Sequence, residues 1–343
     1  MVGVLPTKEE LLTARDWLLD LGLAYWKSKA FLTACDLDIF RVIHNGPGTV
    51  EGVAKDVGLP KQGTSILLNS MVALGLLLKR DKRYFVSEEF VPFVVCGPEC
   101  IRDFFLAINR LFYEPFIKFE EALAHGRPVW SVESDNKHKP VSRQDGQMIA
   151  NAMHSLNMPV GKSLSYKYDF SVHKNLLDIG GGSGVMAINA VKTHSNLRAT
   201  VLDRPTICSV TRRFIKEFGL EEVIKVRPID FIHDPIPEGF DVHVYSNIFQ
   251  NIREDKCSLL LKKSFETLTP GGKVLIVEYL LDETGTGPYF PAMFNLFSVV
   301  ALEDGGARSF RWYNEALGAA GFSFIESFPL VNSSTLVVAQ KPK

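Results

Sequence analysis

The chain has few cysteines, no excess of charge of either sign and no long apolar run. Its 343 residues carry 38 Lys and Arg against 39 Asp and Glu. A nucleic acid is therefore not expected as the main partner, because domains that bind nucleic acids are usually basic. No apolar run approaches the roughly 18 residues of a membrane helix, and the N-terminus lacks the apolar segment of a secretory signal. We expect a cytoplasmic protein of about two domains, with no membrane insertion.

The five cysteines are odd in number and scattered along the chain, at Cys35, Cys96, Cys100, Cys208 and Cys257. This pattern argues against a disulfide scaffold and favours a reducing compartment. Cys96 and Cys100 have a spacing that would suit metal ligands, but no partnered Cys or His pair lies near them in the sequence. We therefore predict that the protein binds no metal.

The first half of the chain, residues 1–162, has apolar residues mostly at helical spacing. An amphipathic helix over 62–78 precedes two short strands around the charged turn 79–83, which is the order of a winged helix. Winged helices often bind DNA through their third helix, but no Lys or Arg follows Lys61 in this one. Dimerisation or covering of a substrate is therefore the preferred role, and a ligand-sensing transcription regulator is an alternative.

The second half, residues 163–343, alternates apolar strand-like runs with helical stretches. Such alternation is typical of a parallel sheet with helices on both faces. The last two runs, 323–328 and 335–339, are separated only by a short polar turn and predict a hairpin. The fold class is therefore α/β, with one antiparallel strand at the C-terminal end of a mostly parallel sheet.

The strongest local signal is the glycine-rich turn 177–184, which follows the first strand of this half and opens a helix. Glycines there let the backbone approach a ligand, and the helix N-terminus offers free N–H groups. The glycines alone do not identify the ligand, because Gly182, Gly184 and Ala187 also satisfy a dinucleotide fingerprint.

Acidic residues near the predicted strand ends narrow the choice of ligand. Asp178, just before the glycines, could hold a cationic amine, which S-adenosylmethionine has and NAD lacks. Asp203 ends the second strand and can accept the ribose hydroxyls. Asp230 and Phe231 end the third strand and offer an acceptor and an aromatic face to adenine, and 269–272 predicts a sharp turn before the fifth strand. Ligands of open α/β sheets bind at this edge.

These motifs resemble the plant-type, acetylserotonin O-methyltransferase-like family of class I S-adenosylmethionine-dependent methyltransferases. The resemblance covers nearly the whole chain and implies a Rossmann-like sheet, dimerisation through the winged-helix domain, S-adenosylmethionine as cofactor and a small aromatic or conjugated acceptor. It implies cofactor contacts at Gly180, Gly182, Asp203, Arg204, Asp230 and Phe231, with Asn247 near the sulfonium.

The sequence departs from the family where the family has its general base. Gln250 stands at the position of the family's His, and Ala307 replaces the Glu that helps to position it, whereas the supporting acid Glu278 is kept. A general base contributes about 10²–10⁴ in rate, and alignment of the reactants can contribute ~7–11 kcal/mol. Methyl transfer is therefore still expected, to an acidic hydroxyl, with Gln250 orienting the acceptor and Glu278 supporting it.

Three points stay open in the sequence. His154 is another candidate base, on a helix that lines the acceptor pocket in the family. C-methylation of a conjugated ring is an alternative, since the bacteriochlorophyllide C-20 methyltransferase also lacks a His there. A repurposed member that uses the cofactor without methyl transfer is a further one. The predicted acceptor-binding side chains are Met153, His154, Asn157, Met293, Phe294 and Phe297.

Overall fold

The computed structural model describes residues 8–95, 97, 99–129, 143–302 and 305–343, and Cys96 lies outside them. The chain forms two compact units, Met1–Arg110 and Leu111–Lys343. The predicted division between residues 162 and 163 falls inside a long helix of the second unit. The division into domains 1–162 and 163–343 stays a prediction.

The first unit is helical apart from one two-stranded antiparallel sheet. Its elements are α1 Lys8–Gly22, α2 Ala24–Asp36, α3 Ile39–Asn45, α4 Val50–Val57, α5 Lys61–Ala73, β1 Leu77–Arg80, β2 Arg83–Val86, α6 Val91–Val94 and α7 Arg102–Ala107. The run from α3 to β2 has the predicted winged-helix order. The third helix of that motif, α5, ends at Ala73 rather than at residue 78, because Gly75, with a φ of +78°, turns the chain into β1.

Helix α4 shows how local sequence sets the bounds of an element. The Thr49 hydroxyl accepts a hydrogen bond from the Gly52 amide at 3.2 Å, which caps the first turn. Gly58 ends the helix in the left-handed region, with a φ of +69°. Such an N-cap contributes about 1 kcal/mol, and glycine takes the terminal conformation without a steric penalty.

The second unit is an eight-stranded sheet with helices around it. A π-helical turn at Ile108–Phe112 spans its start, and its elements are α8 Tyr113–Ile117, α9 Phe119–His125, α10 Arg143–Lys167, β3 Asn175–Ile179, α11 Val185–Thr193, β4 Arg198–Asp203, α12 Pro205–Glu217, β5 Ile224–Pro228, β6 Phe240–Ser246, α13 Glu254–Thr267, β7 Leu268–Leu281, α14 Tyr289–Ala301, β8 Arg308–Ser309, α15 Phe310–Ala319, β9 Ser323–Pro329 and β10 Ser334–Gln340.

The main strand order is β5-β4-β3-β6-β7-β10-β9, and β8 pairs with β7. Strands β3 to β7 are parallel, and β10 runs antiparallel to β7, as the sequence predicts. From β3 the chain continues to β4 and β5 on one side of β3, and it then crosses back to form β6 on the other side. Ligands bind beside such a switch point, outside the carboxyl ends of the strands.

The sheet is buried on both faces. Leu176 of β3 packs into the cluster with α10, α11 and α12, whereas Leu177 packs into the cluster with α13 and α15. Successive side chains of a strand point to opposite faces, so near-continuous apolar runs are what a covered parallel strand requires.

The stretch 269–272 does not form the sharp turn predicted to precede the fifth strand. It lies within β7, where the register against β6 shifts between the pairs Phe240–Leu268 and Val242–Lys273. Gly271 has a φ of +78°, and a Cβ on Gly272 would lie 2.8 Å from the Thr269 carbonyl oxygen. Strand β7 therefore begins at Leu268, ahead of the predicted apolar run 273–277, and the two glycines permit the irregularity between these points.

Candidate active site

The glycine-rich loop joins β3 to α11 at the carboxyl edge of the sheet. The Gly180 amide donates to the Leu202 carbonyl at 2.8 Å, and its φ is +68°. A Cβ on Gly180 would lie 2.4 Å from Ile248 Cδ1 and 3.3 Å from Phe231 Cζ. Gly182 has a φ of +56°, and apart from Gly182 itself and its two neighbours in the chain no described residue has an atom within 4 Å of a Cβ placed there. The loop therefore packs closely at Gly180 and is open to a ligand at Gly182.

Asp178 lies beneath this loop and is fully buried. Its Oδ2 accepts a hydrogen bond from the Ala187 amide at 3.3 Å, and burial raises the pKa of the carboxyl to about 7. Oδ1 is also buried and has no hydrogen-bond partner among the described residues. The structure does not bring Asp178 to the loop surface, where the predicted contact with a cationic amine would need it. It holds the loop to α11, and direct cofactor contact stays a prediction.

Asp203, at the end of β4, is the acid that touches the glycine loop. Its Oδ2 accepts a hydrogen bond from the Gly182 amide at 2.8 Å, and its Oδ1 accepts one from the Arg204 amide at 2.7 Å. Each carboxylate oxygen can accept more than one hydrogen bond. Asp203 is therefore placed to accept hydroxyl donors beside the loop, whereas the exposed Arg204 contributes its main chain to this arrangement.

Asp230 and Phe231 open a tight turn after β5. Asp230 Oδ1 accepts hydrogen bonds from the Ile232 and His233 amides, and Oδ2 lies 2.8 Å from His233 Nδ1. The hydrogen bond from His233 lowers the pKa of the Asp230 carboxyl. The turn thus offers an ionised, solvent-exposed carboxylate, and the Phe231 ring faces Gly180.

Three amide side chains form a hydrogen-bonded chain after β6. Gln250 Nε2 donates to Asn247 Oδ1 at 3.0 Å, and Asn247 Nδ2 donates to Asn157 Oδ1 at 3.1 Å. Asn157 Nδ2 donates to the Met153 carbonyl at 2.9 Å. That carbonyl can only accept, so it fixes the orientation of every amide in the chain. The structure therefore brings together four predicted site residues from α10 and the segment after β6.

Gln250 is buried, with 3% of its surface exposed, and Glu278 is fully buried. Glu278 Oε1 accepts hydrogen bonds from the Ile248 and Phe249 amides, both at 2.8 Å. Burial raises the pKa of Glu278 to about 8. Glu278 therefore acts on the main chain of the turn that carries Gln250.

The segment 306–308 also holds this turn, through hydrogen bonds that could not be predicted from the sequence. The Gly306 amide donates to the Gln250 carbonyl, and the Ala307 amide donates to Asn295 Oδ1, both at 2.7 Å. The Arg308 guanidinium donates to the Phe249 and Ile252 carbonyls. The main chain of Gly306 and Ala307 thus links Asn295 of α14 to the Gln250 turn.

His154 is packed against the glycine-rich loop. Its Nδ1 lies 2.9 Å from the Ser183 hydroxyl, and its ring stacks on Phe214 with centroids 3.7 Å apart. Burial, with the nearby Arg213 charge, lowers the pKa of His154 to about 4. A neutral imidazole of this pKa is a weak base, so the contacts favour a supporting role for the loop.

Aromatic side chains of α14 form part of a cluster in the second unit. Phe294 lies 5.4 Å from Tyr279 and 5.8 Å from Phe297, and Phe297 packs edge-on against Phe112 at 5.3 Å between ring centroids. Met293, also predicted to contact the acceptor, is 44% exposed on the same helix. The structure thus places the Phe294 and Phe297 rings in one aromatic cluster, whereas Met293 lies on the exposed surface of the helix.

The described part of the chain lacks two other kinds of feature. It contains no group of three or more His, Cys, Asp or Glu side chains placed to hold a metal ion. Among the same residues, no helix is long and apolar enough to cross a membrane.

The sheet order, the glycine loop and the acids at successive strand ends define a class I methyltransferase. The loop fits S-adenosylmethionine, because the space at Gly182 admits close approach and Asp203 accepts hydrogen bonds beside it. S-adenosylmethionine is the cofactor of this class, and the chain is a methyltransferase that depends on it.

Comparison with known proteins gives the family. The O-methyltransferase domain matches residues 113–323, and the O-methyltransferase dimerisation domain matches residues 19–90. The chain therefore belongs to the O-methyltransferase family.

Its relatives include enzymes with different acceptors. Human acetylserotonin O-methyltransferase is 27% identical over 89% of this chain and 91% of its own. The 3-hydroxy-5-methyl-1-naphthoate 3-O-methyltransferase of Streptomyces sahachiroi is 26% identical over 87% of this chain and 88% of its own. The crystal structure of human N-acetylserotonin methyltransferase in complex with S-adenosylmethionine covers both chains fully, with a TM-score of 0.89 and 25% identity.

Proposed function

We propose that this chain forms a homodimer and transfers a methyl group from S-adenosylmethionine to an acidic hydroxyl of a small aromatic or conjugated molecule. The observation that carries the proposal is the buried amide of Gln250, the residue that by resemblance stands where the family has its His. Gln250 Nε2 donates a hydrogen bond to Asn247, within a network of side-chain amides that contains no strong base.

On the cofactor side, the residues bind and orient. The bound cofactor supplies an electrophilic methyl group on a sulfonium. Asp203 accepts the ribose hydroxyls, while Asp230 and Phe231 hold the adenine, and Asn247 lies toward the sulfonium. Asp203 and Asp230 already accept main-chain hydrogen bonds, so they need little reorganisation when the cofactor binds.

On the acceptor side, the residues align the nucleophile without removing its proton. A side-chain amide has no useful basicity, and His154, with a pKa of about 4, is engaged with Ser183. The acceptor must then arrive ionised. At pH 7 about half of a phenol with a pKa of 7 is ionised, against about 0.1% of one with the ordinary pKa near 10. Alignment supplies the remaining acceleration.

The test is transfer from methyl-labelled S-adenosylmethionine to a set of phenols of graded acidity, for wild type and Gln250→His. We expect kcat/KM of wild type to follow the ionised fraction, rising about tenfold per pH unit below the acceptor pKa. The variant should methylate weakly acidic phenols faster at neutral pH. No gain, or a pH profile independent of the phenol, would contradict the missing-base mechanism.

C-methylation is the second candidate. A carbon nucleophile needs no hydroxyl deprotonated by residue 250, and the L-tyrosine C(3)-methyltransferase of Streptomyces lavendulae is 28% identical over 84% of this chain and 82% of its own. Product NMR separates an O-methyl from a C-methyl group. Conversion of substrate without formation of S-adenosylhomocysteine would instead indicate a member that uses the cofactor without methyl transfer.

Dimerisation is proposed for the first unit. The dimerisation domain matches there, and α1 and α2 expose large apolar side chains, including Trp17, Leu18, Leu21, Tyr25 and Trp26. Contiguous apolar surface of this kind marks interaction sites. Light scattering should give about twice the 38.3 kDa chain mass, and Trp17→Glu with Trp26→Glu should give monomers.

A further inference from the structure

Lys263, on α13, binds the turn that carries Asp230 and Phe231. Its Nζ donates to the carbonyls of Phe231, Ile232 and Asp234 at 3.1, 2.6 and 2.7 Å. An ammonium group has three donors. All three are directed at the main chain of one turn, so the side chain is dedicated to it.

The turn has a polarity that suits a cation. The His233 and Asp234 amides both donate back to the Asp230 carbonyl, as in a single helical turn. The later carbonyls of such a turn lack intrahelical partners and carry partial negative charge. Lys263 supplies the donors they need from outside the turn.

The turn also has its own hydrogen bonds, to Asp230 Oδ1 and Asp234 Oδ2, and Phe231 and Ile232 pack against the core. The Asp230 and His233 side chains are both more than half exposed, so Lys263 is the side chain that links the carbonyls of this exposed turn to α13. Yet the turn must keep the Phe231 ring near Gly180, where ring Cζ lies 3.3 Å from the place a Cβ would occupy. A fixed turn is thus a requirement for a preformed adenine site.

We propose that Lys263 is a positioning residue for the cofactor: by binding three carbonyls of the 230–234 turn, it fixes Asp230 and Phe231 for the adenine. The inference rests on the proposed adenine contacts of those two residues. It makes α13 part of the cofactor site, although Lys263 itself touches the turn and not the ligand.

The test compares Lys263→Met with Lys262→Met by calorimetric titration with S-adenosylhomocysteine. Lys262 is the matched control, because it is adjacent on α13, exposed, and pairs with Glu266. We expect the Kd to rise about tenfold in Lys263→Met, to rise less in Lys263→Arg, and to change less than twofold in Lys262→Met. The loss should persist with adenosine as the titrant, since the defect lies at the adenine end.

Kinetics separate positioning from general stability. In Lys263→Met, the KM for S-adenosylmethionine should rise while kcat at saturating cofactor stays within about twofold of wild type. An unchanged Kd in a folded Lys263→Met protein, or a fall in Tm with no change in KM, overturns the inference. If Lys263→Met does not fold, an unchanged Kd in folded Lys263→Gln overturns it equally. Wild type that binds S-adenosylhomocysteine but methylates no acceptor would count against the proposed function instead.

Discussion

The proposed cofactor side and the proposed acceptor side of the site are built from different chemistry. The first presents carboxylates, Asp203 and Asp230, each already accepting main-chain N–H donors. The second presents neutral amides, Asn157 and Gln250, which are hydrogen-bonded through Asn247, the residue proposed to lie toward the sulfonium. Charges held by the backbone suit a ligand of constant structure, whereas neutral amides can orient an acceptor but cannot take its proton.

The largest expected effect is the loss of cofactor binding when Asp203, on the cofactor side, is replaced. Asp203→Ala removes the acceptor for Gly182 N and the proposed acceptor for the ribose, so we expect at least about 100-fold weaker binding of S-adenosylhomocysteine by calorimetry. Asp255→Ala, which removes an exposed acid paired with Arg253, is the control. Equal affinity in wild type and Asp203→Ala would place the nucleoside elsewhere.

The second test uses two glycines with the same backbone strain and different surroundings. Alanine at either position adopts a positive φ at a cost of about 1–2 kcal/mol. At Gly180 it must also displace Ile248, whose Cδ1 would lie 2.4 Å away, whereas Gly182 has open space in the described structure. Urea denaturation should therefore show Gly180→Ala as the less stable variant. Because Ile248 lies two residues before Gln250, Gly180→Ala should also impair acceptor turnover.

Equal unfolding free energies for the two variants would show that Ile248 moves aside freely. The loop and the Gln250 turn would then be independent, and the division into two sides would be sharper than the contacts suggest. A larger loss in Gly182→Ala would contradict the packing at Gly180.

The cofactor side was the more predictable from sequence, for a physical reason. Glycines and acids at strand ends are set by local backbone geometry, so 177–184, Asp203 and Asp230 could be placed from strand periodicity alone. The parallel pairing of β3 to β7 and the antiparallel β10 follow in the same way from alternating patterns, whereas the order of the strands in the sheet does not. The burial of Asp178 beneath Gly181 could not be predicted in this way, because it depends on three-dimensional packing.

The acceptor side depends on contacts between residues far apart in the chain. Asn157 and Asn247 meet across 90 positions, and the Ile248 amide meets Glu278 across 30 positions. No spacing rule predicts such pairs. The sequence indicated that Gln250 and Glu278 belong together, but it did not reveal that Glu278 binds the main chain of the turn.

The third test concerns the charge state of Glu278. Its pKa of about 8 in the folded chain lies above the ordinary value of 4.5, so the folded state holds the proton more tightly than the unfolded state does. Stability is then highest at low pH and falls as pH rises from about 4.5 to 8, by at most about 1.4 kcal/mol per pH unit from this group. Glu278→Gln keeps an oxygen for the Ile248 and Phe249 amides and should flatten this dependence.

The measurement is the free energy of unfolding in urea at pH 6 and at pH 8.5. Wild type should lose more stability between these values than Glu278→Gln does. Glu266→Gln, which changes an exposed acid on α13, should behave as wild type. Parallel losses in all three proteins would mean that Glu278 is ionised in the folded chain, and the acceptor side would then contain a buried charge.

The smallest expected effect isolates the amide chain. Asn157→Leu removes the acceptor for Asn247 Nδ2, whereas Asn157→Asp keeps it and removes the donor to the Met153 carbonyl. We expect kcat/KM for the acceptor to fall about fivefold in Asn157→Leu and less in Asn157→Asp, which corresponds to ~1 kcal/mol, the usual net contribution of one hydrogen bond. The Kd for S-adenosylhomocysteine should stay unchanged in both. A fall in cofactor affinity equal to the fall in acceptor turnover would show that Asn157 also holds Asn247 in place for the cofactor, and the two sides would then be one coupled site.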